Sequence, residues 1–259
     1  MTVAAPYAVL QRDAARPTAE QIRRAFRSFS HLTDADAVRL AANAQGILQR
    51  QLSADAARAF HRALQAEGVA AAIVAEGELQ LLPESKRLHR LTLTDAALEV
   101  YDLRGQPTAV AWRELALVAA GAVRRDETSH RSEHATTAPQ PFFSQWPRRT
   151  VDPARKVPTG PQLILEILLV DGVTRYEVNA DEFPFKYALD RPDYSMVEKF
   201  VWLVREIGKH APGALLNRGA RDVCEGTDLV RGYPNRQEFA DELTWLLWNS
   251  AQTKRAVEI

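Results

Sequence analysis

The sequence predicts an α+β protein, with a small β-α-α-β-α-β module first and an antiparallel sheet domain capped by a C-terminal helix after it. Three observations carry that expectation. Residues 163–178 (LILEILLVDGVTRYEV) are two apolar, β-branched runs separated by Asp171-Gly172, a hairpin turn signal. Residues 195–209 open with a capping box, Ser195 to Glu198, and carry Val197, Phe200, Val201, Val204 and Ile207 as one apolar stripe. Residues 1–80 alternate short strand patterns with capped helix patterns, closely enough to make a self-contained module.

Within that module Tyr7–Gln11 (YAVLQ) reads as a strand. Thr18 to Gln21, behind Pro17, is a capping box that opens a helix with Ile22, Ala25, Phe26 and Phe29 on its apolar face. A second helix starts at Thr33, turns Ala37, Leu40, Ala41 and Ala44 inward, and stops at Gly46, since glycine readily takes the left-handed conformation past a helix end. Residues 47–52 (ILQRQL) read as a strand. Ser53 caps a third helix that buries Ala57, Phe60, Ala63 and Leu64, Gly68 ends it, and residues 69–74 close the sheet.

Leu32-Thr33, Asp36-Ala37, Leu40, Gly46-Ile47-Leu48, Ser53, Ala56 and the run from Leu64 to Val69 together resemble the C-terminal domain of the bacterial ribosomal stalk protein, a fold shared with the Clp-protease adaptor. The resemblance implies the fold and neither activity. Where the stalk family has a lysine-rich factor-binding helix, this chain has Ala37-Val38-Arg39.

Residues 75–87 hold a glycine, a proline and mixed charge, and read as the boundary between domains at 1–80 and 86–255. Strands are expected at 88–93, 97–102, 109–112 and 117–123, with Arg104-Gly105 as a turn. Leu98, Val100, Asp102 and Gly105, followed by Val110, Trp112 and Leu115, resemble the strand-turn-strand-Trp start of bacterial pleckstrin-homology-like domains. That resemblance implies a sheet closed at one end by a C-terminal helix, for which residues 195–209 stand. Pro212-Gly213 ends the helix, and residues 215–232 read as irregular, glycine-punctuated chain. Asn235 to Glu238 caps a last helix with Phe239, Leu243, Leu246 and Leu247 on one stripe. Trp245 and Trp248 flank the stripe, where a tryptophan is expected to pack between elements.

A polar connection at about 124–162 holds His130 and His134 near Glu127 and Glu133. Two histidines four apart can share a metal on a helix, but a site needs three or four placed ligands, so no metal is expected. The same connection carries Phe142, Phe143 and Trp146 beside Arg148 and Arg149. Such a run can enter a lipid interface, stack on bases or grip a partner, or it can fold back over an open sheet edge. Arg23, Arg24 and Arg27, with Arg12 and Arg16 upstream, form either an anion- or partner-binding patch or a solvated face neutralised by Glu20, Asp34 and Asp36.

No nucleophile elbow, Walker loop, H-E-x-x-H or dinucleotide glycine fingerprint is present, so no catalytic residue and no cofactor are expected. The single cysteine, Cys224, excludes an intramolecular disulfide and a Cys-cluster zinc site, and reads as an inert buried thiol. With 33 basic and 33 acidic residues the formal net charge is zero, which argues against nucleic acid as partner. The N-terminus lacks a charged segment followed by an apolar one, and the apolar runs fall far short of the roughly 20 residues a bilayer needs, so a cytoplasmic address is expected. The sequence points to a non-catalytic cytoplasmic interaction or scaffold protein, with another protein as its partner. The alternatives are peripheral membrane binding through the aromatic-basic connection, and an enzyme with a pocket between the two domains.

Overall fold

The computed structural model describes residues 6–12, 17–27, 46–125, 160–189 and 191–257. The expected helix at 33–45, the connection through Phe142–Arg149 and both His130 and His134 lie outside them. The chain is α+β.

The first sheet is antiparallel, with β1 (Tyr7–Gln11) between β2 (Ile47–Leu52) and β3 (Ala71–Ala75). Helices α1 (Ala19–Arg27) and α2 (Ala54–Ala66) cover one face, where Val9, Ile22, Phe26, Leu48, Phe60 and Leu64 are buried together. The expected caps form. The Gln21 N–H donates to Thr18 Oγ1 at 3.2 Å while the Thr18 N–H donates to Gln21 Oε1, and the Ala56 N–H donates to Ser53 Oγ. Ala8 and Leu10 alternate with Val9 and point to the opposite face, which is also buried.

The second part holds β4 (Ser85–Arg87), β5 (Leu91–Leu93), β6 (Ala97–Tyr101), β7 (Pro107–Ala111), β8 (Leu115–Val123), β9 (Gln162–Leu169) and β10 (Arg175–Asn179). Then come α3 (Met196–His210), β11 (Leu215–Leu216), α4 (Arg218–Cys224), β12 (Gly232–Tyr233) and α5 (Arg236–Val257). Strands β5-β6-β7 make an antiparallel sheet of their own, and a larger sheet runs β11-β8-β9-β10-β4 with β12 also on β8. Phe200, Val201, Leu203, Val204 and Ile207 of α3 share one core with residues of both sheets. Trp112 fastens the two ends of this core: its indole stacks on His210 at 4.7 Å and its N–H donates to the Thr94 carbonyl.

Both expected turns are built around an aspartate and a left-handed glycine. Asp102 accepts from the N–H groups of Arg104 and Gln106 beside Gly105 (φ 78°), and Asp171 accepts from those of Val173 and Thr174 beside Gly172 (φ 70°). These bonds, that from Thr174 first, hold the Asp171 carboxyl below its usual range.

Several expectations need correction. The larger sheet is mixed, since β4 runs parallel to β10, and β11 and β12 run parallel to β8. The chain at 215–232 is ordered into β11, α4 and β12, because β8 is long enough for two short strands to share its edge. Along residues 75–87, Leu79 is buried with residues of the first sheet and β4 pairs with β10 of the larger one. Val197 lies in the first turn of α3 and stays exposed, and Leu203 takes a buried place instead. Val173 belongs to the hairpin turn, so the second arm starts at Arg175.

Strands β8 and β9 are buried on both faces, which explains their nearly continuous apolar sequence. Val118, Ala120, Leu165 and Ile167 face α3, whereas Leu117, Ala119, Ile164 and Leu168 meet Phe239 and Leu243 of α5. Farther along α5, Trp245 packs on Ala8, Leu10, Ala72, Val74 and Leu79. One helix therefore covers the outer faces of both sheets. Among the described residues no helix is long and apolar enough to cross a membrane.

Candidate functional site

The site begins with a gap in a strand edge. Strands β11 and β12 pair with opposite ends of β8, and α4 interrupts them over Ala120. The Asn217 side chain fills the gap as a peptide group would. Its Oδ1 accepts from the Ala120 N–H at 2.9 Å and its amide donates back to the Ala120 carbonyl at 3.1 Å. The same Oδ1 accepts from the Ala220 N–H, capping α4, so one asparagine continues a ladder and starts a helix. Gly219 makes the approach possible: a Cβ there would stand 2.0 Å from the Ala120 oxygen.

From Asn217 a buried chain of polar groups leads to α5. The Asn217 amide donates to the Tyr233 hydroxyl, and that hydroxyl donates to Glu242 Oε2 at 2.6 Å. Glu242 Oε1 accepts from both the backbone N–H and Nε of Arg218, at 2.9 and 3.2 Å. Asn217 and Glu242 are fully buried, so these bonds meet the cost of desolvating them. Burial, then the adjacent Glu242 carboxylate, pushes the Tyr233 phenol far up from its ordinary value.

Helical spacing brings Glu242, Trp245, Leu246, Asn249, Ser250 and Thr253 onto one side of α5. They line a cavity of ≈ 310 Å³ where the two sheets meet, facing Gln11 and Gly46 of the first sheet and Leu215, Leu216, Arg218 and Arg221 of the second part. The Trp245 indole donates to the Gln11 carbonyl at 2.7 Å, fixing the ring as one wall. Gly46 (φ 102°) lies so close to that indole that a Cβ would fall 2.1 Å from it. The cavity is rich in donors, and its carboxylate is already engaged.

A second polar cluster fastens the start of α5. Glu166 and Glu177 stand directly opposite on β9 and β10, an unfavourable like-charge pair by itself. Arg236 bonds to both, Arg175 to Glu166 at 2.9 Å, and Ser85 donates to Glu177. Neither carboxylate faces the cavity. A larger groove of ≈ 820 Å³ runs past Trp112, Leu115, Leu168, Leu169, His210 and Leu247, with walls that are mainly apolar.

Of the residues expected to bind, Arg23 and Arg24 sit on α1 and both bond to Glu20, whose carboxyl those two guanidiniums hold low. Arg27 ends the same helix, and none of the three lines the cavity. Phe142, Phe143, Trp146, Arg148 and Arg149 lie outside the described residues. Cys224, expected to be buried, is half-buried, and that partial burial raises its thiol. Among the described residues no group of three His, Cys, Asp or Glu side chains could hold a metal ion. The cavity residues escaped sequence reading because Asn217, Arg218 and Glu242 are brought together only by the β11-α4-β12 insertion. The one available signal was Trp245, read as a packing residue. No protein-family model, no curated protein and no solved structure matches the chain.

Proposed function

We propose that this chain is a non-catalytic cytoplasmic binding protein, an interaction or scaffold module whose junction cavity receives a small ligand or a single side chain of a partner. The observation that carries the reading is the engagement of Glu242. The buried Tyr233 occupies one of its oxygens and the partly buried Arg218 the other. Proton transfer in catalysis calls for a group that titrates near the working pH and can reach substrate. Glu242 is tied up and Tyr233 holds its proton far too tightly, so the cavity offers donors and apolar walls without an acid-base pair. An enzyme reading gains a cavity in the right place and lacks the groups to use it.

The two resemblances agree with this reading, since both are to folds that carry interaction surfaces. The α3 helix closing over β5 to β10 supports the pleckstrin-homology-like one, and the β2-β1-β3 sheet with its helices supports the stalk-like one. The lone cysteine and balanced charge suit the cytoplasm.

Native mass spectrometry of gently purified wild-type protein, beside Asn249→Trp with its cavity filled, tests the reading. A retained species on the wild type, absent from the variant and chemically unchanged on standing, is the expected result. No retained species, one held equally by the variant, or one converted to product overturns it.

A further inference from the structure

We propose that the junction cavity takes a small amphipathic anion: one anionic oxygen group, carboxylate or phosphate, on an apolar body of about one ring. The inference rests on the binding reading above and names its ligand class. Three features of the cavity select that chemistry.

The first is charge. Among the described lining residues, Arg218 and Arg221 are cationic and Glu242 alone is anionic. Glu242 bonds to Arg218, and among the described lining residues the exposed Arg221 guanidinium is the charge without an ion-pair partner. Arg221 makes no ion pair among the described residues, and the hydrogen bond described for its side chain is a long one, 3.4 Å to the Leu216 carbonyl. A planar guanidinium in that state is suited to a carboxylate or phosphate, which it can grip through two N–H groups at once.

The second is the polarity of the remaining groups. Asn249 and Ser250 add an amide and a hydroxyl along α5, the Thr253 hydroxyl donates to the Asn249 carbonyl, and both oxygens of Glu242 are already accepting. A cationic ligand would find that carboxylate taken. The third is the wall opposite. Leu215, Leu216, Trp245 and Leu246 give it an apolar side, and the indole is held by its bond to Gln11. A cavity of ≈ 310 Å³ lies at the small end of ligand sites, which run from roughly 300 to 1,000 Å³. It is too small for a folded partner and sized for a metabolite or a single side chain.

The test measures thermal midpoints of the full chain with four probes: benzoate, phenyl phosphate, benzamide and inorganic phosphate. A ligand that binds only the folded state raises the midpoint with concentration, so apparent affinities follow from the titration. Benzoate or phenyl phosphate is expected to stabilise the wild type at millimolar concentration, with benzamide and inorganic phosphate without effect. Stabilisation by benzoate alone assigns a carboxylate ligand, by phenyl phosphate alone a phosphate monoester. Arg221→Ala should weaken the effect about fivefold or more, as loss of a charge-assisted bond requires. Asn249→Trp should abolish it, and Thr253→Trp, one turn on, repeats that arm if the first variant folds poorly. Benzamide acting as well as benzoate overturns the ligand class and leaves the binding reading standing. No stabilisation by any probe, or stabilisation that survives both Arg221→Ala and the filled cavity, also overturns it, while native mass spectrometry decides the reading beneath it.

Discussion

The two sheets hold the same helix by different means. The larger sheet meets the first half of α5 with apolar contacts from Phe239 and Leu243, and adds two sets of directional bonds. Arg236 lies between Glu166 and Glu177, and Glu242 is bonded to Tyr233 and Arg218. The smaller sheet, β2-β1-β3, is met chiefly by Trp245, buried with Ala8, Leu10, Ala72, Val74 and Leu79, while the partly buried Leu246 and Trp248 pack against the same cluster. Its polar attachments are the indole bond to Gln11 and the Arg50–Asp241 pair at 2.8 Å. Apolar burial is non-directional and supplies most of the adhesion at both contacts. Directional bonds fix rotation and register, and they are concentrated on the larger sheet. The cavity lies where the strongly specified contact gives way to the weakly specified one.

The most forceful way to break that comparison is Trp245→Ala. Removing a buried tryptophan costs about 3–5 kcal/mol. Here the loss should fall on the smaller sheet, because the contacts of α5 with β8 and β9 do not involve Trp245. Urea unfolding should separate into two transitions, with faster amide exchange in β1 and β3 and unchanged exchange in β8 and β9. A single transition lowered as a whole would mean that the two contacts are equally specified. Arg236→Ala attacks the other side. It leaves Glu166 and Glu177 facing each other with Arg175 as the nearest compensation, at a cost of about 2 kcal/mol, less than for a fully enclosed pair because Arg236 is partly exposed. Urea midpoints should show that cost in a transition that stays single.

Much of this division was legible in the sequence. Capping boxes at Thr18 and Ser195, the Ser53 cap, the aspartate-glycine turn and the amphipathic helices are local signals, each complete within a few residues. The direction of β4, β11 and β12 was not legible, because strand pairing is a non-local choice and a two- or three-residue strand carries almost no pattern. Residues 215–232 read as loop for the same reason. Of the glycines that suggested irregular chain, Gly219 instead lets α4 approach β8 closely. Gly121, inside the strand expected at 117–123, makes room for Tyr233 and Phe239, which a Cβ would meet at 2.6 and 2.9 Å. The candidate site was invisible until Asn217 and Glu242, 24 residues from Arg218, were placed together by that insertion.

Tyr233→Phe sharpens the comparison through pH. The variant loses the donor to Glu242 and the acceptor for Asn217, costing about 1–2 kcal/mol at neutral pH. In the unfolded chain a tyrosine loses its proton near pH 10, whereas the folded chain keeps that of Tyr233 well above it. Above pH 10 the folded state therefore binds more protons than the unfolded one, and stability falls as pH rises. Tyr176, raised by burial, acts in the same direction. Urea midpoints at pH 7 and pH 11 should drop less in Tyr233→Phe than in the wild type. Equal drops would show that the phenol is not held by the buried chain.

The smallest effect is expected at Arg50. Its guanidinium reaches Asp241 on α5 and lies 3.8 Å from Glu76, and both Arg50 and Asp241 keep some contact with water. Pairs of that kind contribute at most about 1 kcal/mol. Arg50→Ala should therefore lower the urea midpoint only slightly in the wild type and leave one transition. In the Trp245→Ala background it removes a remaining polar tie between β2 and α5, so the gap between the two transitions should widen. A double-mutant cycle measures that coupling directly. Strict additivity would mean that Arg50 and Trp245 hold the smaller sheet independently. A coupling near 1 kcal/mol would give Arg50 a share in holding the cavity's weaker wall.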